Sequence, residues 1–211
     1  MAPERAERPE LRDVPVSWPV ERSTDLHRDG WVMALRSDTV RRTPEEEPFT
    51  RLVLEHPGAA IVLAVDDGER VFCLWQYRHP AGHRFVELPA GLCDGDAAEE
   101  PLDVARRELR EEALLEADDW THLTSVYPSP GILQEVQHLF LARGLRDVDR
   151  GDFVLKHEEA DMDTAWVPFG ELLDAVLAGR VADAPLVTAI LMAQARGLVG
   201  AGGSTSRGDS R

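Results

Sequence analysis

Apolar positions along the chain fall into two kinds of block. Short runs rich in β-branched and aromatic residues read as strands: Trp31-Val32-Met33-Ala34-Leu35, Phe49 to Leu54, Ala59 to Val65, Val71 to Tyr77, Phe85 to Leu88, Trp120 to Tyr127, Val136 to Ala142 and Thr164 to Val167. A Pro/Glu-rich loop from Thr43 to Pro48 separates the first two. Asp66-Asp67-Gly68 is a turn signal, so the runs on either side of it are expected to pair as a hairpin. Helical spacing appears three times. Pro101 opens a segment reaching Leu115 in which Leu102, Ala105, Leu109 and Ala113 recur at three- and four-residue steps. Phe169 to Ala178 and Pro185 to Arg196 are the other two. Strands, one embedded helix, more strands and two closing helices predict an α+β fold with a mixed sheet.

The ends break this patterning. Residues 1–12 are charged and proline-bearing, without the apolar core of a signal peptide, and read as a disordered lead. Residues 200–211 are Gly/Ser-rich and read as a flexible tail. The 211 residues suit one domain with extra elements at each end. No apolar run approaches the ~18–20 residues of a membrane span, so a cytoplasmic protein is expected. The net charge of −16 argues against nucleic acid or an anionic membrane as partner. It leaves room for a phosphate compound, because an arginine or a metal ion can reverse the sign inside one pocket. Cys73 and Cys93 form no disulfide framework, and His79, His138 and His157 have no zinc-ligand spacing.

The embedded helix carries the candidate chemistry. In Arg107-Glu108-Leu109-Arg110-Glu111-Glu112, the three glutamates stand at i, i+3 and i+4 and project to one side. Like charges at that spacing destabilise a bare helix by a few tenths of a kcal/mol per pair. A hard divalent cation would offset the repulsion, and Mg²⁺ suits a site of two carboxylates, waters and phosphate oxygens. By composition alone the same helix is an ordinary charged face, with Arg106, Arg107 and Arg110 as ion-pair partners.

Its surroundings change the reading. The run from Gly91 to Leu115 resembles the Nudix box, with matches at Gly91, Glu99, Arg107, Glu108, Leu109, Glu111, Glu112 and Leu115. Two features depart from it. The loop between Gly91 and Glu99 is longer than usual by two residues, and loop length is cheap to change. Leu114 occupies the place of the box's last glycine. If that glycine supplies a left-handed helix cap, a leucine there costs roughly 1 kcal/mol or more, and the helix is expected to run on or end differently.

The resemblance runs from about Asp25 to about Ala195. Leu54 to Ala59, Gln76 to Pro80, Glu87 to Gly91 and Ser129-Pro130-Gly131 are similar to the ADP-ribose pyrophosphatase branch of the Nudix hydrolases. The segment after Gly131, Ile132-Leu133-Gln134-Glu135, departs from that branch on the substrate side. The resemblance implies an α/β/α sandwich with a mixed sheet and an N-terminal β subdomain. The subdomain (13–57) would join two copies of the chain, and the hydrolase domain would span 58–199. It implies Mg²⁺ or Mn²⁺ as cofactor and hydrolysis of the diphosphate of ADP-ribose to AMP and ribose 5-phosphate. The alternatives are another nucleotide sugar or dinucleotide as substrate, or a ligand-binding domain with weakened catalysis.

Roles follow residue by residue. The resemblance makes Glu108 and Glu112 the main metal ligands, with Glu111 in support and the Ala90 carbonyl completing the set. Arg78 ends an apolar strand beside a Pro turn, and a guanidinium there suits a bidentate hold on phosphate, or else an ion pair. Glu87 would reach the metal or the ribose, and Glu135 continues the substrate-side pattern. Arg107 and Glu99 would orient the metal glutamates. Glu158 or Glu159, in the polar loop beginning at His157, would take a proton from the attacking water. Trp31 would offer a face to a base, in its own site or a partner's, or else belong to the core.

Overall fold

A computed structural model describes residues 10–95, 99–149 and 162–200. The lead and the tail therefore lie outside the described residues except at 10–12 and 200. Ten strands and three α-helices occur among them: β1 (Val20–Arg28), β2 (Ala34–Val40), β3 (Phe49–Glu55), β4 (Ala59–Ala64), β5 (Arg70–Arg78), β6 (His83–Glu87), β7 (Ala90–Leu92), α1 (Pro101–Ala113), β8 (Leu115–Val126), β9 (Gln137–Asp147), β10 (Asp163–Pro168), α2 (Phe169–Leu177) and α3 (Ala184–Ala195). They form three sheets: β1-β2-β3, β10-β5-β6 and β7-β4-β9-β8. The last is mixed, because β4 runs parallel to β9 while β7 and β8 pair antiparallel.

Strand β4 shows why the chain makes a layered sandwich. It is buried on both faces, and successive side chains point opposite ways. Ile61 and Leu63 enter one core, shared with Leu139 and Leu141 of β9 and with Leu172, Leu186, Ala189 and Ile190 of α2 and α3. Ala60, Val62 and Ala64 enter a second core, shared with Phe140 and with Val104, Ala105 and Leu109 of α1. One helix layer thus covers each face, an α/β/α arrangement.

Two expectations about strands change. The hairpin between β4 and β5 does not form: a single bridge, Val65 to Val71, joins them at the turn, and each strand then pairs in a different sheet. Apart from Gln76 both runs are apolar, so neither has a polar face to set a hairpin register, and their long-range partners decide. In the N-terminal part the strand read over 31–35 is β2, beginning at Ala34, and β1 precedes it. Every residue of β1 is exposed, so no buried alternation marked it. After Pro89, Ala90 and Gly91 belong to the short strand β7.

Helix α1 ends at Ala113, and Leu114 adopts the left-handed conformation itself, φ 57° and ψ 38°. Its N–H closes the helix onto the carbonyls of Arg110 and Leu109. The helix ends as a glycine-capped one would, with leucine carrying the strain.

Candidate active site

The N-terminal half of α1 is uncapped by any side chain; Pro101 at the first turn, after an extended Glu100, sets its start. Val104, Ala105 and Leu109 anchor one face in the second core. This turns Glu108 and Glu112, each 8% exposed, toward β7. A Cβ on Gly91 would lie 2.1 Å from the Glu108 carboxyl carbon, so glycine is required where the glutamate lies on the strand. One position earlier, the Ala90 N–H donates to Glu112 Oε2 at 2.9 Å. The two carboxylates are thereby fixed against consecutive residues of one strand.

Arg107 stands among acids. Its Nη1 donates to Glu108 Oε1 at 2.6 Å, and it lies 3.8 Å from a Glu111 oxygen and 3.7 Å from a Glu99 oxygen. The guanidinium faces three of the box's four glutamates at once.

Arg107, Glu108 and Glu111 border a cleft of about 680 Å³ that also meets Trp31, Arg78, Glu87, Ala90, Glu135, Gln137 and Asp183. The volume is in the range of small-molecule sites. Arg78, at the end of β5, forks onto the buried Glu87 of β6, with Nε to Oε1 at 2.9 Å and Nη2 to Oε2 at 2.6 Å. Hydrogen bonds donated to Glu87 hold the guanidinium pKa above its ordinary value, against its partial desolvation. A guanidinium carries five N–H donors, so this pair does not exhaust it. Arg78 is therefore ion-paired, one of its two readings, and it also lines the cleft.

Trp31 is 63% exposed at the cleft wall, not a core residue. The N-terminal sheet reaches this region through Leu54, whose N–H and carbonyl bond Ile132 O and Gln134 N at 2.8 and 3.0 Å. The segment after Gly131 is thereby tied to β3. Glu158 and Glu159 lie outside the described residues.

Asp183 and Gln137 are among the cleft residues not singled out in the sequence. Asp183 caps α3, accepting from the Leu186 N–H at 3.0 Å. Burial, helped by nearby Glu87, pushes its carboxyl up to about 6, against the pull of its cap bond and Arg78. Its only sequence signal, Asp before Ala-Pro at a helix start, is that of a cap. Gln137 opens β9, and nothing local marks it.

Among the described residues no three His, Cys, Asp or Glu side chains close into a metal cage. The donors present suit an open site for a hard cation, which takes one or two carboxylates and fills its remaining positions with water and phosphate oxygens. Glu108 and Glu112, oxygen donors anchored on one strand, fit that demand.

Comparison with known proteins agrees with this geometry. The profile of the family described as NUDIX domain matches residues 54–189. An ADP-ribose pyrophosphatase of Mycobacterium tuberculosis is 40% identical over 173 residues, covering 82% of each chain. One of Bacillus subtilis is 38% identical over 117 residues, 53% of this chain and 62% of that one. The fold is shared with the crystal structure of an ADP compounds hydrolase, at TM-score 0.69 and 16% identity, over 88% of this chain and 96% of the other.

Proposed function

We propose, the chain being a member of the Nudix family, that it hydrolyses the diphosphate linkage of ADP-ribose, or of a related nucleoside diphosphate sugar, releasing AMP and ribose 5-phosphate. The observation that carries this reading is the anchoring of Glu108 and Glu112 on Gly91 and Ala90, beside a cleft that Glu108 lines together with Arg78. Mg²⁺, or Mn²⁺ in its place, would be held by Glu108 and Glu112, supported by Glu111 and the Ala90 carbonyl. When bound, the ion lowers the pKa of water and offsets the charge of the diphosphate.

The protein's own groups do the rest. Arg78 holds a phosphate oxygen through donors that Glu87 leaves available. Arg107, shared by Glu99, Glu108 and Glu111, keeps the metal carboxylates in place. Glu87 braces Arg78, and Glu135 faces the sugar side of the cleft. Trp31 offers its exposed ring to the base. Water attacks one phosphorus, the bond to the bridging oxygen breaks, and the water's proton passes to Glu158 or Glu159. The bridging oxygen leaves on the other phosphate.

The molecule is proposed to act as a homodimer in the cytoplasm, with a small-molecule nucleotide as its partner and neither nucleic acid nor membrane. The exposed apolar residues Val20, Leu26, Val32 and Leu52 of the N-terminal part favour a second copy as their cover. No helix among the described residues is long and apolar enough to cross a membrane.

The test is a panel of ADP-ribose, other nucleoside diphosphate sugars and dinucleotides, assayed with Mg²⁺ and with Mn²⁺. ADP-ribose is expected to give the highest kcat/KM, and Glu112→Gln to lose activity by at least a hundredfold. A stronger preference for another sugar nucleotide, motivated by the Ile132 to Gln134 segment, would replace the substrate. Absence of metal-dependent turnover on the whole panel would leave a ligand-binding domain.

A further inference from the structure

Gln137 is 9% exposed and lines the cleft, and its Oε1 has no hydrogen-bond partner, alone among buried side-chain polar atoms of the described residues. Its orientation is chemically fixed. Nε2 donates to Glu135 Oε1 at 2.9 Å, and flipping the amide would set oxygen against a carboxylate oxygen. An amide oxygen buried without a donor costs about 1–3 kcal/mol, so it is retained where something supplies the donor.

Its position narrows that donor. Ala59 of β4 pairs with Leu92 of β7 on one side and Gln137 of β9 on the other. Gln137 therefore stands two strand spacings, about 10 Å, from the strand that anchors Glu108 and Glu112. With the diphosphate held at Glu108 and Glu112, a group attached to it would reach that distance. Three acceptors line the cleft here, the carboxylates of Glu135 and Asp183 and the amide oxygen of Gln137, beside the donors of Arg78 and His56. Of these acceptors the amide oxygen is uncharged and unpartnered, which matches a hydroxyl and not a phosphate oxygen.

Resting on the reading above, we propose that Gln137 is a specificity-determining residue whose Oε1 accepts a hydrogen bond from a sugar hydroxyl of the substrate. Glu135 positions the amide and does not itself need to touch that hydroxyl.

Hydroxyl-deleted analogues test this on the wild-type protein. Deoxy forms of ADP-ribose, lacking one ribose hydroxyl at a time, are compared with ADP-ribose. One analogue is expected to lose tenfold or more in kcat/KM. The same comparison is then made in Gln137→Leu, which removes the acceptor, and Gln137→Lys, which removes it but keeps a donor for Glu135. In both variants KM for ADP-ribose rises about tenfold with kcat little changed, and discrimination against that analogue falls to within threefold. The proposal is overturned if wild type accepts every deoxy analogue as well as ADP-ribose, or if the variants discriminate as wild type does. It is also overturned if discrimination in the variants shifts only when adenine is replaced by hypoxanthine. Where the panel shows another sugar nucleotide to be preferred, its deoxy forms replace those of ADP-ribose with the same outcomes, and lack of turnover on the whole panel refutes the proposed function instead.

Discussion

Leu114 holds a backbone conformation that leucine disfavours, at φ 57° and with its side chain partly in solvent. A Cβ in that region costs roughly 1–2 kcal/mol. Leu114→Gly is expected to stabilise the protein by about 1 kcal/mol, read as a higher Tm, with activity equal or higher. Unchanged or lower stability would mean that the leucine side chain repays the strain through its contacts. Asp183 makes a second prediction. Its folded pKa of about 6 lies above the ordinary 3.8, so the folded state binds the proton more tightly. The resulting stability is full below about pH 4 and is lost as pH rises through about 6. Asp183→Asn keeps the cap and removes the buried charge. Its Tm relative to wild type should therefore be higher at pH 7.5 than at pH 4.5, measured by thermal melts across that range. A difference that does not change with pH would refute the assignment.

At the scale of elements, the contact between α1 and β7 makes the site. Helix periodicity was legible from Leu102, Ala105, Leu109 and Ala113, and it correctly set Glu108 and Glu112 on one side. That this side lies on Gly91 depends on β7, three residues long, whose pairing to β4 no local pattern reveals. Gly91→Ala forces the Glu108 side chain to move, since the added carbon would overlap its carboxyl. The expected result is a fall in kcat/KM of about a hundredfold, from misplacement of a ligand on the ångström scale. Tm should change far less than activity, because Glu108 is the far end of a flexible side chain. Melting and steady-state assays on the same preparation separate the two.

For the whole molecule, the N-terminal sheet is the part least accounted for by its own packing. All of β1 is exposed, and apolar side chains of the sheet and its loops face outward. Light scattering after gel filtration should give twice the mass of one chain, and Leu52→Glu should shift it toward a single chain. A wild-type mass of one chain would remove the dimer from the proposal.

The sequence by itself determined the Nudix family, the α+β class, the three helices and the carboxylate helix, because these rest on local spacing: a period of about 3.6 for α1 and fixed identities from Gly91 to Leu115. It also located Arg78, Glu87 and Glu135, which line the cleft as their motifs implied. Only the tertiary structure decided that β4 and β5 part into different sheets, because strands apolar on both faces take their register from distant partners. It alone brought Asp183 and Gln137 to the cleft, from a helix cap and a strand start far apart in the chain. Burial and the absence of a donor give those two residues their chemical interest. Both are properties of what surrounds a side chain, and no local pattern encodes them.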